Sequence, residues 1–166
     1  MVDVLAVLLF AAPAYVANSS AVIVGGKFPL DFGKNWVDHK RMLGSGKTVR
    51  GTFTGILLGW LAGLTASVIV TQHPIPEYEK VSLLIAVGAI TGDAVKSFIK
   101  RRVGIEQGRE WLLWDQLDFI VGSVVFASPY YLLPALETAI LFVVTFALHK
   151  TTNLVAYLSR LKSVPW

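Results

Sequence analysis

Five long apolar segments constrain this chain more than any other feature of its sequence. They run from about Val2 to Val24, Gly51 to Thr71, Val81 to Ile99, Asp115 to Leu136 and Glu137 to Leu158. Each segment is near the roughly 20 residues that a helix needs to cross a bilayer. The charged fraction is only 16%, whereas soluble domains carry about 25%. The sequence therefore predicts a single all-α membrane domain over residues 1–166 with five transmembrane helices.

The loops that join these segments differ in charge. The long loop over residues 25–50 and the loop over residues 101–114 are basic, whereas the connection from Gln72 to Lys80 carries two glutamates. With the N-terminus outside, every Lys and Arg except Lys80 lies at the cytoplasmic side, as the positive-inside rule requires. The sequence thus predicts a multi-pass protein of the cell membrane with an external N-terminus and a cytoplasmic C-terminus. Asp3 stands where a signal peptide would carry a basic residue, so we expect the first segment to be retained.

The third segment carries polar residues inside an apolar helix. Asp93, Lys96, Ser97 and Lys100 recur at i, i+3, i+4 and i+7, so they share one helix face. At roughly 1.5 Å per residue, Asp93 lies about 10 Å deeper in the membrane than Lys100. An ionised group at that depth is costly unless it faces a wet cavity, a metal or a charged partner. The pattern indicates either a structural ion pair or a functional site.

The fourth segment opens with two more carboxylates, Asp115 and Asp118, three residues apart. An acid in the first turn of a helix is favoured by the helix dipole, which explains Asp115 alone but not Asp118. Three carboxylates on neighbouring helices suit a hard cation, and magnesium prefers a few carboxylates together with phosphate oxygens. The chain has no cysteine and three scattered histidines, so a zinc or copper site is not expected.

The long first loop contains Leu43-Gly44-Ser45-Gly46-Lys47-Thr48-Val49-Arg50-Gly51. Gly-Lys-Thr is part of a P-loop pattern, but Arg41 occupies the place of its first glycine and no strand precedes it, so a P-loop fold is excluded. The glycines still let backbone N–H groups approach an anion, and Lys47 and Arg50 add positive charge at the start of a helix. The segment is either a phosphate-binding loop or a flexible basic loop that only fixes topology.

A basic, glycine-bearing surface above carboxylates suits a nucleoside triphosphate, and its place at the bilayer surface suggests a lipid headgroup as the second substrate. Nucleotidyl transfer to a lipid phosphate fits both features. The nucleophile is already an anion, so no general base is needed. The barrier comes from bringing two anions together and from charge on the leaving pyrophosphate, and cations reduce both costs.

These residues resemble the signature of a known family. The motif positions are Gly92-Asp93, Ser97, Lys100-Arg101 and Asp115…Asp118. They resemble the Gly-Asp…Ser-x-x-Lys-Arg…Asp-x-x-Asp pattern of the CTP-dependent cytidylyltransferases that make CDP-diacylglycerol. With the Leu43–Gly51 stretch, the pattern is most similar to their short archaeal relatives, the CDP-archaeol synthases. The Lys-Asp and Pro-Gly-His-Gly-Gly stretch of the bacterial enzymes is absent, and Glu106 to Trp114 occupies its place, which favours an archaeal ether lipid as substrate.

The resemblance implies Mg²⁺-dependent transfer of a cytidylyl group from CTP to 2,3-bis-O-(geranylgeranyl)-sn-glycerol 1-phosphate, giving CDP-archaeol and pyrophosphate at the cytoplasmic face. The implied catalytic residues are Asp93, Asp115, Lys100 and Arg101. The implied nucleotide- and phosphate-binding residues are Gly44, Gly46, Lys47, Thr48, Arg50, Lys96 and Ser97. The implied magnesium ligands are Asp93, Asp115 and Asp118. The lipid tails would lie in a groove between helices that opens sideways to the bilayer.

The expected partners are CTP, the isoprenoid ether-lipid glycerol phosphate and membrane lipids, with no nucleic acid and no obligate protein partner. Three other functions stay open at this point. Intramembrane charges also mark ion pathways, so a small transporter or channel is one alternative. A CTP-dependent polyprenol kinase is the second, and it would release CDP rather than pyrophosphate. A structural scaffold is the third, although Asp93, Asp115 and Asp118 argue against it.

Overall fold

The computed structural model describes residues 2–160 and contains five helices in this range. They are α1 (Val4–Val24), α2 (Val49–Ile69), α3 (Tyr78–Arg102), α4 (Trp114–Ala127) and α5 (Ala135–Leu158). The described range has no β-strand beyond two isolated bridges in the loop between α1 and α2. The predicted all-helical fold is therefore confirmed. The last residues, with Lys162 and the predicted cytoplasmic C-terminus, lie outside the described range.

Four helices, α1, α2, α3 and α5, are long and apolar enough to cross a bilayer. Helix α4 has 14 residues, which is about 21 Å of helix and shorter than the ~30 Å hydrocarbon core. The prediction of one continuous span from Asp115 to Leu136 is therefore wrong, because the helix ends at Ala127 and residues 128–134 are not helical. Pro129 and Pro134 lack the N–H group that a continuing helix would need.

Polar contacts show how the helix ends are arranged. The backbone N–H of Asp3 donates to Glu137 Oε1 at 3.2 Å, so α1 and α5 begin at the same end. Lys150 of α5 pairs with Glu110 in the loop after α3, and Gln107 in that loop donates to Ser45 Oγ at 2.8 Å. We call the end that holds the loops over residues 25–48 and 103–113 the loop end. Helix α4 and residues 128–134 thus carry the chain from the loop end to the opposite end.

Glycines bring the first three helices into close contact. The spacing by four of Gly55, Gly59 and Gly63 predicts a helix-packing face, and all three are buried. A Cβ atom at Gly59 would lie 2.7 Å from the Pro13 carbonyl oxygen of α1, and one at Gly63 would lie 2.2 Å from Ser82 Cβ of α3. The structure therefore confirms that Gly55, Gly59 and Gly63 form a helix-packing face.

A second glycine contact joins α3 to α4. A Cβ atom at Gly122 would lie 2.1 Å from the Gly88 carbonyl oxygen, and one at Gly92 would lie 2.3 Å from the Asp118 carbonyl oxygen. The two backbones therefore touch. This crossing fixes how far the carboxylate of Asp93 on α3 stands from the carboxylates of α4.

Helix α5 meets the bundle along one narrow stripe of residues spaced by four. Glu137, Leu141 and Thr145 are buried, and the Tyr15 hydroxyl of α1 donates to Thr145 Oγ1 at 2.8 Å. Most of the remaining α5 residues are exposed at the bundle surface. Further along α5, the same spacing leads to residues 149 and 153 at the loop end.

Candidate active site

The loop over residues 25–48 is folded around one buried carboxylate, Asp31. Its oxygens accept hydrogen bonds from the backbone N–H groups of Gly33, Leu43 and Gly44 at 3.0 to 3.1 Å. The Arg41 side chain donates two more, at 3.0 and 3.1 Å. Burial alone would raise the pKa of Asp31, but the Arg41 guanidinium and the three N–H groups outweigh it and hold the pKa well below its usual range. The sequence analysis missed Asp31, although an Asp two residues before a Gly is typical of a turn.

The same loop is fastened to α3 and α2. Arg102 lies 3.2 Å from Asp38 in the loop and stacks over the Phe98 ring. The N–H of Val49, the first residue of α2, donates to the Phe28 carbonyl oxygen at 3.0 Å. Within the loop, the Lys47 carbonyl oxygen accepts from the Leu30 N–H at 2.7 Å. These contacts bring the end of the loop against α3, and the Lys47 side chain reaches Asp93.

Six of the predicted residues come together as one charge cluster of three carboxylates and three lysines. Its members are Asp93, Asp115, Asp118, Lys47, Lys96 and Lys100. Lys96 is central, because its Nζ lies 3.3 Å from Asp93 Oδ1 and 3.0 Å from one oxygen of each α4 carboxylate. The formal charges of the six groups cancel.

The two outer lysines hold the carboxylates from either side. Lys47 pairs with Asp93, and Lys100 lies 2.9 Å from Asp115 Oδ2. Lys100 also donates to the carbonyl oxygen of Arg109 at 2.6 Å, and the Trp111 N–H donates to Asp115 at 2.6 Å. The loop over residues 103–113 is therefore fixed to the cluster by its own backbone.

The other six predicted binding or catalytic residues are not members of the charge cluster. The Ser97 hydroxyl donates to the Asp93 backbone carbonyl at 2.9 Å, and the Thr48 hydroxyl caps α2 by accepting from the Gly51 N–H. The N–H of Gly44 is committed to Asp31. The remaining three are Arg50, Arg101 and Gly46.

The two arginines face other parts of the protein. Arg50 lines a separate cavity with Lys27, Phe28 and Phe32, and its predicted role in binding a phosphate stays a prediction. Arg101 forms no ion pair with any residue in the described range. It follows Lys100 directly, and successive helix residues point roughly 100° apart.

Gly46 does lie beside the charge cluster. It lines a small crevice together with Lys47, Thr48 and Asp93, at the place where α2 begins. The predicted glycine-bearing loop therefore reaches the cluster through Gly46 and Lys47, while Gly44 serves the internal structure of the loop.

The three carboxylates are suitable ligands for magnesium, but in this structure they are not arranged to bind it. Oxygen donors alone are what this cation prefers. However, within residues 2–160 no three His, Cys, Asp or Glu side chains are placed to hold a metal ion, because the three carboxylates surround the Lys96 ammonium instead. Magnesium needs oxygens at about 2.0 to 2.1 Å. It would bind to some of these carboxylates, together with substrate oxygens, once Lys96 had moved aside.

An apolar groove of about 360 Å³ runs between α3 and α4 and ends at the charge cluster. Lys96 and Asp118 line it beside apolar side chains of both helices. Two of these, Val95 and Val125, are 50% and 60% exposed, so the groove opens sideways at the bundle surface. The rings of Trp111 and Trp114, whose centroids are 5.7 Å apart, line it as well.

A second opening adjoins the cluster from the direction of α5. We call this cavity of about 230 Å³ the polar cavity. Its lining residues are Lys100, Gly108, Arg109, Glu110, Asp115, Gln116, His149 and Asn153. Lys100 and Asp115 thus belong to both the charge cluster and the polar cavity. The sequence analysis did not find the contribution of α5, because only the burial of its earlier turns shows which face points inward.

Comparisons with known proteins agree over the whole chain. A family model described as CarS-like, CDP-archaeol synthase, matches residues 1–166. A CDP-archaeol synthase of Pyrococcus furiosus is 42% identical and covers 100% of both chains. One of Methanospirillum hungatei is 41% identical over 93% of this chain and 99% of its own length. The fold is similar, with a TM-score of 0.81 and 35% identity, to a solved intramembrane enzyme for archaeal membrane lipids biosynthesis, over 88% of this chain and 91% of that one.

Proposed function

The chain belongs to the CDP-archaeol synthase family, and on that premise we propose that it transfers a cytidylyl group from CTP to an archaeal ether lipid. The acceptor is 2,3-bis-O-(geranylgeranyl)-sn-glycerol 1-phosphate, and the products are CDP-archaeol and pyrophosphate. Family membership favours this reaction over the polyprenol kinase, the transporter and the structural scaffold.

One observation carries the proposal, namely that the apolar groove ends at a cluster of lysines and carboxylates. A lipid whose tails lie along Val95 and Val125 would have its phosphate beside Lys96, which lines the groove. Such a groove suits a substrate that is apolar along most of its length and anionic at one end. The reacting phosphate then meets the nucleotide at the charge cluster.

The chemistry joins a lipid phosphate oxygen to the α-phosphorus of CTP and breaks the bond from that phosphorus to the pyrophosphate oxygen. Lys96 and Lys100 neutralise the two approaching anions, and Lys47 with the Gly46 backbone holds the β- and γ-phosphates. Bound magnesium would supply further charge neutralisation on the phosphate oxygens, and Asp93, Asp115 and Asp118 are the residues that would hold it. These carboxylates also keep the lysines oriented before the substrates arrive.

We further propose that the loop end faces the cytoplasm, with the N-terminus outside. The basic loop residues gather at this end, as the positive-inside rule requires, and CTP is available on that side. In this arrangement α4 and residues 128–134 together make the fourth crossing. Ser97 and Thr48 support α3 and α2, whereas Arg50 and Arg101 reach a phosphate only if their side chains move.

The proposal is tested with purified protein in detergent, Mg²⁺, α-labelled CTP and the ether-lipid glycerol 1-phosphate. We expect label to enter the lipid phase with release of pyrophosphate. In a parallel reaction with γ-labelled CTP and a polyprenol, transfer of the γ-label with release of CDP would instead show a kinase. No transfer to this lipid or to phosphatidic acid by folded protein would refute the cytidylyltransferase.

A variant tests the assignment of the metal ligands. Asp93→Asn keeps the size of the side chain and removes its charge, so we expect a higher Mg²⁺ concentration to be needed for half-maximal rate. An unchanged rate and an unchanged Mg²⁺ dependence would remove Asp93 from the metal site.

A further inference from the structure

The polar cavity adjoins the charge cluster, and the proposed function assigns no substrate part to it. Its volume of about 230 Å³ is below the roughly 300 to 1,000 Å³ of pockets that enclose a whole drug-sized ligand. It suits one ring of a ligand rather than a complete nucleoside triphosphate. Because Lys100 and Asp115 line it, a ring held there would have its attached phosphates at the charge cluster.

Gln116 lines this cavity and carries an unused hydrogen-bond acceptor. The residue is only 1% exposed. Its Nε2 donates to Glu110 Oε1 at 2.9 Å, and Glu110 is itself paired with Lys150. An ionised carboxylate only accepts hydrogen bonds, so the amide atom that faces Glu110 must be the nitrogen. The other end, Oε1, has no hydrogen-bond partner in the described part of the chain.

A buried acceptor without a partner costs free energy, so its presence points to a donor that arrives with a ligand. The cavity provides uncharged polar groups as well as charged ones. His149 and Asn153 continue the inward stripe of α5, one helical turn apart, and their side chains contact each other at 3.2 Å. Neutral donors and acceptors around a small cavity are the groups that read the edge of a base.

The wall formed by α5 is held in place before any ligand binds. The Lys150–Glu110 pair fastens this part of α5 to the loop over residues 103–113. That loop is fixed in turn to Lys100 through the Arg109 carbonyl. A cavity with fixed walls discriminates well between similar ligands, because a mismatched group cannot be relieved by moving the wall.

We propose that the polar cavity receives the pyrimidine ring of the nucleotide and that Gln116 Oε1 accepts a hydrogen bond from the 4-amino group of cytosine. The inference rests on the proposed function, since it assumes that CTP is the donor. Uracil carries a carbonyl oxygen at this position, and two acceptors would then face each other. Gln116 thus selects CTP over UTP, and His149 and Asn153 hold the ring from α5.

The test removes the proposed hydrogen-bond acceptor from the protein and the proposed donor from the nucleotide, each in turn. Gln116→Met keeps the length of the side chain without the acceptor, and the triphosphate of pyrimidin-2-one riboside lacks only the 4-amino group. Gln72→Met, in the loop at the opposite end of the bundle, is the matched control. For each protein, kcat/KM is measured with CTP, the analogue and UTP, and binding of each nucleotide is measured without lipid.

We expect wild type and Gln72→Met to prefer CTP over the analogue by about 30-fold or more, as sites that hydrogen-bond a substrate group do. We expect Gln116→Met to prefer CTP over the analogue by less than about threefold. The substitution and the missing amino group remove the same hydrogen bond, so their effects are not additive. A preference in Gln116→Met equal to that of wild type would overturn the inference. If Gln116→Met does not fold, Asn153→Ala replaces it, and an unchanged KM for CTP in that variant would overturn the cavity assignment.

The two proposals fail in different ways. Wild-type protein that neither binds CTP nor transfers label contradicts the proposed function. Wild-type protein that transfers label, beside a Gln116→Met variant that still discriminates against the analogue, contradicts only the assignment of the base.

Discussion

Adding one methyl group at Gly92 would separate α3 from α4 at the point where both supply carboxylates to the charge cluster. In Gly92→Ala the new Cβ would lie 2.3 Å from the Asp118 carbonyl oxygen, whereas ordinary contact begins at 3.4 Å. The obstacle is backbone, so α4 must move away by about 1 Å. The contacts of Lys96 with Asp115 and Asp118, now 3.0 Å each, would lengthen by a similar amount. Since a displacement of 1 Å can cost about 10²-fold in rate, we expect kcat/KM to fall by about that factor.

The assay is cytidylyl transfer from labelled CTP, with the thermal unfolding midpoint measured in the same detergent. Overpacking costs about 1 to 3 kcal/mol, so a matched control must be equally crowded. Gly63→Ala meets this condition, because its Cβ would lie 2.2 Å from Ser82 Cβ. Ser82 is about 16 Å along α3 from Asp93. We expect Gly63→Ala to lose stability but to keep the rate of the folded enzyme. A folded Gly92→Ala enzyme with kcat/KM within threefold of wild type would refute this reasoning.

Three further predictions concern separate parts of the site. Lys47→Met should raise KM for CTP by about tenfold or more, since a charge-assisted contact to phosphate is lost, whereas Lys34→Met in the same loop should not. Val121→Trp should fill the apolar groove and raise KM for the lipid but not for CTP, whereas Val143→Trp on the exposed face of α5 should change neither. Asp31→Asn should lower the hydrogen-exchange protection of the loop over residues 25–48. Because the pKa of Asp31 is lowered in the folded state, its stabilisation is complete above about pH 4 and is lost only as pH falls further, so protection should stay constant from about pH 8 to 5.

Each of these predictions has a clear contrary result. An unchanged KM for CTP in Lys47→Met would remove the loop from the nucleotide site. Unchanged lipid kinetics in Val121→Trp would show that the tails lie elsewhere. Full protection of the loop in Asp31→Asn, or a protection that rises and falls between pH 5 and 8, would show that another group organises the loop.

Hydropathy and helical spacing predicted most of the fold because both depend on residues that are close together in the sequence. The i, i+3, i+4, i+7 pattern placed Asp93, Lys96 and Lys100 on one face of α3, and the structure has them in one cluster. The fourth helix was predicted too long because residues 128–134 are apolar enough to resemble a span. Hydropathy does not register that Pro129 and Pro134 interrupt hydrogen bonding. The orientation of the bundle in the membrane stays a prediction.

The parts of the site that were missed depend on contacts between segments far apart in sequence. Asp31 gains its importance from five hydrogen bonds that exist only in the folded loop. Arg50 is three residues from Lys47 and lines a different cavity, because Lys47 belongs to the loop whereas Arg50 lies in the first turn of α2. Gln116 lies between Asp115 and Asp118 of the motif, but the sequence does not show that its Oε1 lacks a hydrogen-bond partner, because this depends on the positions of Glu110 and Lys150.

The narrow attachment of α5 affects how easily this helix separates from the rest of the bundle. Contacts at Glu137, Thr145 and Lys150 help to hold a helix most of whose described side chains face outward. Such an element separates from a bundle at a lower free energy than the core helices, so it forms its own cooperative unit. A ligand that touches α5 and α4 together raises that free energy by RT ln(1 + [L]/Kd). If the base lies between them, the bound nucleotide is a further contact of α5, and it raises the free energy needed to separate this helix from the bundle.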